Sequence, residues 1–264
     1  MKIHHSSIFS SLLETRWFSV LRLFPAVALL GLTGCASLTH IQENVEDVGT
    51  SYKPSNIYCR APVIPSDIRR VALLPVSTTT DEAFLQTGAE TLEPIVYAEL
   101  VKTKKFEIVP VTRQQMQEWT GRTLWKTDEA LPPDFFKKIG KATACDAVMF
   151  AQLTRFQPYQ PIAVGWKLNL IQTATTVVTD PLNATNAADP ITNVRSSTFW
   201  SVDEVLDSGD PSVSLASRRY YRAHLRNDAP AADVSTMASS PTRFGQYALF
   251  SLLSTLPAGR NGRQ

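Results

Sequence analysis

Three short apolar runs constrain this chain more than any other feature. "RRVALLPV" carries Val71 to Val76, "KKFEIVPV" carries Phe106 to Val111, and "CDAVMFAQLT" carries Asp146 to Thr154. Runs of this length without strict alternation suit strands buried on both faces. Segments of helical spacing separate them. Leu92, Ile95, Val96 and Leu100 recur at three and four within Ala89–Lys102, and Pro94 predicts a start near residue 92 or a kink. Thr112 and Gln115 have capping-box spacing for a helix from Arg113 to Trp119. Pro132 and Pro133 precede a helix over Asp134–Ala144, with Phe135, Phe136 and Ile139 on its apolar side.

The second half is arranged differently. "AVGWKLNLIQ" alternates apolar and polar residues as a fourth strand, and "SSTFWSVDEV" returns as a fifth. Between them, Thr173–Arg195 is polar and reads as a hairpin or excursion, bounded at 173–198. Asp210-Pro211 and Ser240-Pro241 each start a helix with an N-cap and a proline at the first position. Strands alternating with helices, followed by neighbouring strands, define an α/β class: a mixed-sheet sandwich of about five strands with helices packed on it. The expected organisation is one domain over 67–256 and a tail over 257–264. Residues 35–66, with Pro54, Pro62 and Pro65, are expected as a tether.

These motifs resemble the amino-terminal domain of TolB and the related CsgG and LpoB-type envelope lipoproteins. In that group a "vavlpf" strand leads to a helix, then an "F-x-V-V" strand, a second helix and an "A-D-a-V-v-x-G" strand. Phe106-Glu107-Ile108-Val109 and Asp146-Ala147-Val148 stand at those places, with Ala151 where the group has glycine. The resemblance covers roughly residues 69–172. It implies an α/β fold and a role as assembly factor, secretion component or enzyme activator. It supplies no catalytic residue to carry over.

The first 35 residues specify an address. Lys2, Arg16 and Arg22 are basic and only Glu14 is acidic before Cys35. The apolar run Leu23–Leu32 is shorter than the roughly 20 residues a spanning helix needs, and it fits the apolar region of a secretory signal. Leu32-Thr33-Gly34-Cys35 follows, and it resembles the lipobox of bacterial lipoproteins. Small residues let the chain lie extended in a peptidase cleft. The Cys35 thiol accepts a diacylglycerol, and cleavage after Gly34 makes Cys35 the new amino terminus. Residues 1–34 are therefore expected to be a signal peptide. The product is expected to carry palmitate-type acyl chains, anchored to a bacterial membrane and facing the periplasm. Ala36, rather than an aspartate, points to the outer membrane. Taking three basic residues and one acidic residue from totals of 26 and 24 leaves 23 of each in the mature chain. A near-zero charge on an exported protein argues against nucleic acid as partner.

Reactive constellations are sparse. The four histidines, His4, His5, His40 and His224, form no zinc or haem pattern, and no glycine-rich phosphate loop or nucleophile elbow is present. No cofactor, metal or catalytic activity is expected. Asp203, Glu204, Asp207 and Asp210 are the densest carboxylates. They read either as an acid/base site of a periplasmic hydrolase or as a strand end followed by a helix cap, and the second reading is the commoner arrangement. Arg218, Arg222 and Arg226 repeat at four, with Arg219 beside them, and form a basic helix stripe able to meet lipid phosphate or an acidic partner. Trp125 lies in a loop and is a candidate partner contact. Cys59 and Cys145 have a disulfide open to them in an oxidising compartment; their spacing leaves pairing undecided. The expected role is a non-enzymatic, lipid-anchored envelope protein that binds a protein partner. The alternative is a subunit of a CsgG-like pore, with one membrane hairpin drawn from Thr173–Thr198. Oligomeric state is not fixed by the sequence.

Overall fold

A run such as Ala147–Leu153, buried at every position, requires a layer on each side of its sheet. The fold supplies both. A computed structural model describes residues 52–177, 192–224 and 239–259. The strands are β1 (Ile57–Cys59), β2 (Arg70–Leu73), β3 (Ser77–Thr78), β4 (Glu107–Pro110), β5 (Ala147–Gln157), β6 (Ala163–Val177) and β7 (Thr192–Asp207). The helices are α1 (Ala83–Lys102), α2 (Arg113–Thr120), α3 (Phe135–Thr143), α4 (Pro211–His224) and α5 (Pro241–Leu253). They build a mixed α/β sandwich on one seven-stranded sheet, in the order β1-β7-β6-β5-β2-β4, with β3 also on β5. β2 is parallel to β4 and β5, whereas β5, β6, β7 and β1 are successively antiparallel.

Each sheet face has its own core. Val71, Leu73, Met149, Leu153, Trp166, Leu168 and Val202 pack with α1, α4 and α5. Ala72, Leu74, Val148 and Phe150 pack with Met116 of α2 and with Phe135 and Ile139 of α3. The second layer thins beyond β5, where Ile171 of β6 still packs on it. There the same face also carries Lys167 and Asn169 of β6, only half-buried, and exposed Asp203 of β7. An antiparallel half-sheet tolerates solvent on one side in this way. Asp146 ties the two halves at one end, its Oδ2 accepting from the main-chain N–H of Arg69 (2.9 Å) and Arg70 (3.0 Å).

The local signals act as expected at two helix starts. Gln115 N–H donates to Thr112 Oγ1 (3.2 Å) while Thr112 N–H donates to Gln115 Oε1 (2.9 Å), completing the capping box of α2. Ser240 Oγ accepts from Arg243 N–H at the start of α5, with Pro241 in the first turn. Gly121 ends α2 at φ 81°, the left-handed position that favours glycine.

Three expectations are corrected and a fourth is narrowed. First, α1 starts at Ala83, about one and a half turns before Ala89 and well before residue 92, and Pro94 lies inside it. Leu85, Ala89, Leu92, Val96 and Leu100 form one continuous buried stripe, and that packing outweighs the lost proline N–H. Second, the chain over 52–66 is part of the domain. β1 pairs with β7, Ile64 is buried, and Tyr52 and Ala61 pack on the larger core. Third, the domain continues into the expected tail, since Ala258 bridges Val63 and Pro257 is buried. Fourth, of the hairpin or excursion expected there, the described residues take the hairpin form, β6 and β7 pairing out to Val177 and Thr192. A register shift between Leu170 and Ile171 opposes these two residues to Trp200 and Thr198, leaving Phe199 as the extra residue. Phe199 and Trp200 consequently both belong to the larger core, whereas strict alternation would send them to opposite faces.

Gly88 lets α1 lie directly against a ring of the sheet. A Cβ there would lie 2.5 Å from Cγ and 2.6 Å from Cδ1 of the Phe156 ring on β5. Gly88→Ala gains about 1 kcal/mol of helix propensity but overpacks the core by about 1–3 kcal/mol. The expected net result is a lower unfolding midpoint in a thermal melt. A raised midpoint would show that Phe156 is free to move aside.

Candidate functional site

A cleft of about 560 Å³ lies where α1 ends beside α4 and α5. Its floor is Glu99, only 3% exposed. The helical stripe that buries α1 carries Glu99 inward, and two donors compensate it. Lys102 Nζ lies 2.6 Å and Gln246 Nε2 3.0 Å from Glu99 Oε1. Both bonds end on the same oxygen; none from the described residues ends on Oε2. Without these partners a carboxylate so withdrawn from water would carry a cost of several kcal/mol.

One wall is aromatic. Tyr220 and His224, four apart on α4, stack with centroids 4.6 Å apart and planes at 21°. Phe250 of α5 meets both, at 4.7 Å from Tyr220 and 4.9 Å from His224. Phe250 itself is 38% exposed, so the wall is open to a ligand. The opposite rim is cationic. Lys105 donates from Nζ to the Leu256 carbonyl, and burial holds its ammonium pKa below the usual lysine value. Arg243 Nη1 reaches Gln246 Oε1 at 3.4 Å. The cleft therefore has a neutralised floor, an apolar wall and a positive rim.

The sequence-derived candidates are placed as follows. Cys35 and its box, Leu32, Thr33 and Gly34, lie outside the described residues, as does Arg226. Arg218 and Arg222 are exposed on α4 and Arg219 is half-buried, so the stripe exists as far as it is described. Trp125 is corrected from a surface contact to a core residue. It is 6% exposed, packs edge-on against Phe135 at 5.3 Å, and donates from Nε1 to Thr120 Oγ1 (2.8 Å). The Arg122 guanidinium covers its outer ring face at 4.5 Å. Helix α3, arriving ten residues later, provides the packing partner that makes a loop tryptophan part of the core.

Cys59 and Cys145 are both unpaired. Cys59 is exposed on β1 and Cys145 buried at the entry to β5, with β7 and β6 between those strands. Strands are about 4.8 Å apart, so three spacings exceed the reach of a disulfide. Burial also pushes the Cys145 thiol pKa up, away from reactivity.

The four carboxylates do not converge. Asp203 and Glu204 are consecutive on β7 and point to opposite faces. Asp203 stands opposite Lys167 in the sheet register. Glu204 Oε2 accepts from the N–H groups of Ser55 and Asn56, 3.0 Å each, and so clamps the chain entering β1. Asp207 Oδ1 accepts from Gly209 N–H (2.8 Å) in the following turn. Asp210 Oδ1 accepts from Ser212 N–H (2.7 Å) at the start of α4, and its Ser212 bonds hold the carboxyl pKa below the usual range. Three of the four thus organise main chain. No group of His, Cys, Asp and Glu residues suited to a metal ion occurs among the described residues.

Sequence reasoning missed the cleft itself. Glu99, Lys105, Arg243 and Phe250 come from distant segments, and only Tyr220 and His224 carry a local signal, their spacing of four. Among the described residues no helix is long and apolar enough to cross a membrane.

No family model matches the chain, so the TolB-like motifs acquire no family assignment. No curated protein matches it either. Among solved structures, it is similar to the PelC dodecamer from Paraburkholderia phytofirmans, at 12% identity and a TM-score of 0.36, over 76% of this chain and 97% of that one. It is similar to lipoprotein GNA1162 from Neisseria meningitidis, at 14% identity and a TM-score of 0.36, over 62% and 99%. A third likeness is to the hypothetical protein CT253 from Chlamydia trachomatis, at 13% identity and a TM-score of 0.35, over 69% and 91%. With TM-scores this low, the likenesses carry no argument about what this chain does.

Proposed function

We propose that the chain is a lipid-anchored bacterial envelope protein that acts without catalysis, as an assembly factor or partner-binding scaffold at the outer membrane. One observation carries this reading: a basic flank, a ten-residue apolar run and Leu32-Thr33-Gly34-Cys35 occur in that order. The domain supports it in a second way. Its most suggestive carboxylates are engaged in clamping and capping main chain, while its concave surface has the mixed apolar and charged lining of a recognition site. Two or three acyl chains on Cys35 would make a stable anchor, since one chain alone binds only marginally.

Metabolic labelling with radioactive palmitate tests the anchor. The full chain should take up label and sediment with membranes, and Cys35→Ser should abolish the label and release the protein to the soluble fraction. Absence of label from the parent chain, or its persistence in the variant, would overturn the reading.

A further inference from the structure

Between Lys53 and Arg60 every residue except Pro54 is exposed, and this includes all three residues of β1. Trp200 and Val202 stand opposite Cys59 and Ile57 and belong to the larger core, which β1 itself does not enter. The ties of this stretch are polar. Asp203 N–H donates to the Asn56 carbonyl (3.1 Å), Arg60 N–H to the Phe199 carbonyl (2.9 Å) and Arg60 Nη1 to Ser197 Oγ (2.7 Å). Glu204 Oε2 takes the consecutive N–H groups of Ser55 and Asn56, and the Ser55 hydroxyl lies 3.4 Å from both carboxylate oxygens. Tyr52, half-buried against the larger core, supplies the apolar contact. Cohesion changes character just past Arg60. Ala61 packs on the larger core, Ile64 is 4% exposed, and Ile64 N–H donates to the Ala258 carbonyl (3.0 Å).

Polar ties at an open edge are exchanged for bonds to water when they break, so each holds the chain only weakly. Apolar burial has no such substitute, and past β1 it resumes at Ala61. A segment with few buried apolar contacts and solvent-exposed main-chain bonds opens at a free energy well below that of the whole domain. β7 is paired with β6 from Thr192 to Asp207, so the sheet does not depend on β1. Glu204 has the decisive place. Its bonds are charge-assisted and roughly twice as strong as neutral ones, and they grip the chain between Tyr52 and β1.

We propose that residues 52–60 form a releasable strap, latched by Glu204, that stores chain length between the membrane anchor and the domain. The inference rests on the lipid-anchor reading above and adds a conformational device to it. Covalent geometry limits the chain from Cys35 to Tyr52 to about 60 Å. With the strap released as far as Ala61, the limit rises to about 90 Å. A domain held at Cys35 thus reaches a partner about 30 Å further from the membrane while its core and helices stay intact. Glu204 is a positioning residue in this device, acting through the main chain of Ser55 and Asn56.

Amide hydrogen exchange of the full chain, read by mass spectrometry, tests it. Peptides covering 52–60 should exchange at least about 100-fold faster than those of β5 and β6. Glu204→Ala should quicken 52–60 at least about tenfold further, Glu204→Gln less so, and both should leave β5 and β6 unchanged. Tyr58→Cys with Ser201→Cys, in a Cys59→Ser background, joins two residues that stand opposite each other in the sheet. Oxidation of that pair should slow 52–60 at least about tenfold, and reduction should restore the fast rate. Thermal melts of each variant establish that it is folded. Exchange of 52–60 at the rate of β5 and β6 would make it an integral strand and overturn the inference. An unaltered rate in Glu204→Ala would remove the latch, and a rise shared by every strand would make Glu204 a support of the whole fold, with the same consequence. Fast exchange persisting in the oxidised pair would also overturn it. Palmitate labelling reads the anchor and exchange reads the strap, so failure of either is separately visible.

Discussion

Phe135→Ala should destabilise the protein by about 3–5 kcal/mol. Phe135 is fully buried at the first turn of α3. It contacts Trp125 and Phe136 edge-on, both at 5.3 Å, and stacks with Phe150 of β5 at 6.0 Å. The residue joins the loop, the helix and the sheet, so its removal leaves a cavity that no single neighbour can fill. The second core is also the smaller one, with ten buried residues against 34 on the opposite face. The loss compares with a total stability of about 5–15 kcal/mol for a typical domain. At an m-value of about 2 kcal/mol/M, the urea midpoint should fall by roughly 2 M with little change in slope. Phe135→Leu should lose less, because part of the volume remains. A shift worth less than about 1 kcal/mol would mean that α2 and α3 contribute little to folding.

The same residue shows what was legible in the sequence. Phe135 and Ile139 stand at helical spacing behind two prolines, so the helix and its apolar side can be read locally. β2, β4, β5 and the capped starts of α2 and α5 are readable for the same reason, since each signal lies within a few residues. Trp125 is different. Nothing near it in sequence says that Phe135 and Thr120 will enclose it. β1 is harder still: its three residues are exposed, and only its pairing with β7 and the Glu204 clamp identify it as a strand. Pro94 misleads because a local penalty competes with a buried stripe that extends along much of a 20-residue helix. The cleft brings together residues 99–105, 220–224 and 243–254, so it exists only once α1, α4 and α5 have docked. Its charged residues lie in segments whose charge looks ordinary taken singly.

The tyrosines of α4 and α5 make this fold sensitive to alkaline pH. Tyr220, Tyr221 and Tyr247 are 6%, 1% and 3% exposed. Burial pushes the Tyr247 phenol up to about 12, with the nearby Asp210 carboxylate adding to the shift. Burial holds Tyr220 and Tyr221 well above the usual phenol range, helped by Glu99 in the first case and by Tyr247 in the second. Tyr221 Oη has no hydrogen-bond partner among the described residues to stabilise a phenolate. In the unfolded chain these groups ionise near pH 10. Above that value the unfolded state has released protons that the folded state still holds, so stability falls as pH rises. The contribution is complete below about pH 10 and is lost on the way to about pH 12. Two units on Tyr247 alone correspond to about 3 kcal/mol, and the burial of Tyr220 and Tyr221 acts in the same direction. Cooperative unfolding is therefore expected between about pH 10 and pH 12. Phenolate absorbance and far-ultraviolet circular dichroism, recorded together through a pH titration, should show these three tyrosines and Tyr52, whose phenol burial also pushes up, silent until the secondary structure collapses. Tyr221→Phe should move that collapse to higher pH if the helix packing is kept. Smooth, reversible ionisation of all seven tyrosines near pH 10, with the dichroism intact, would place these rings in water and refute the packing of α4 and α5 described here.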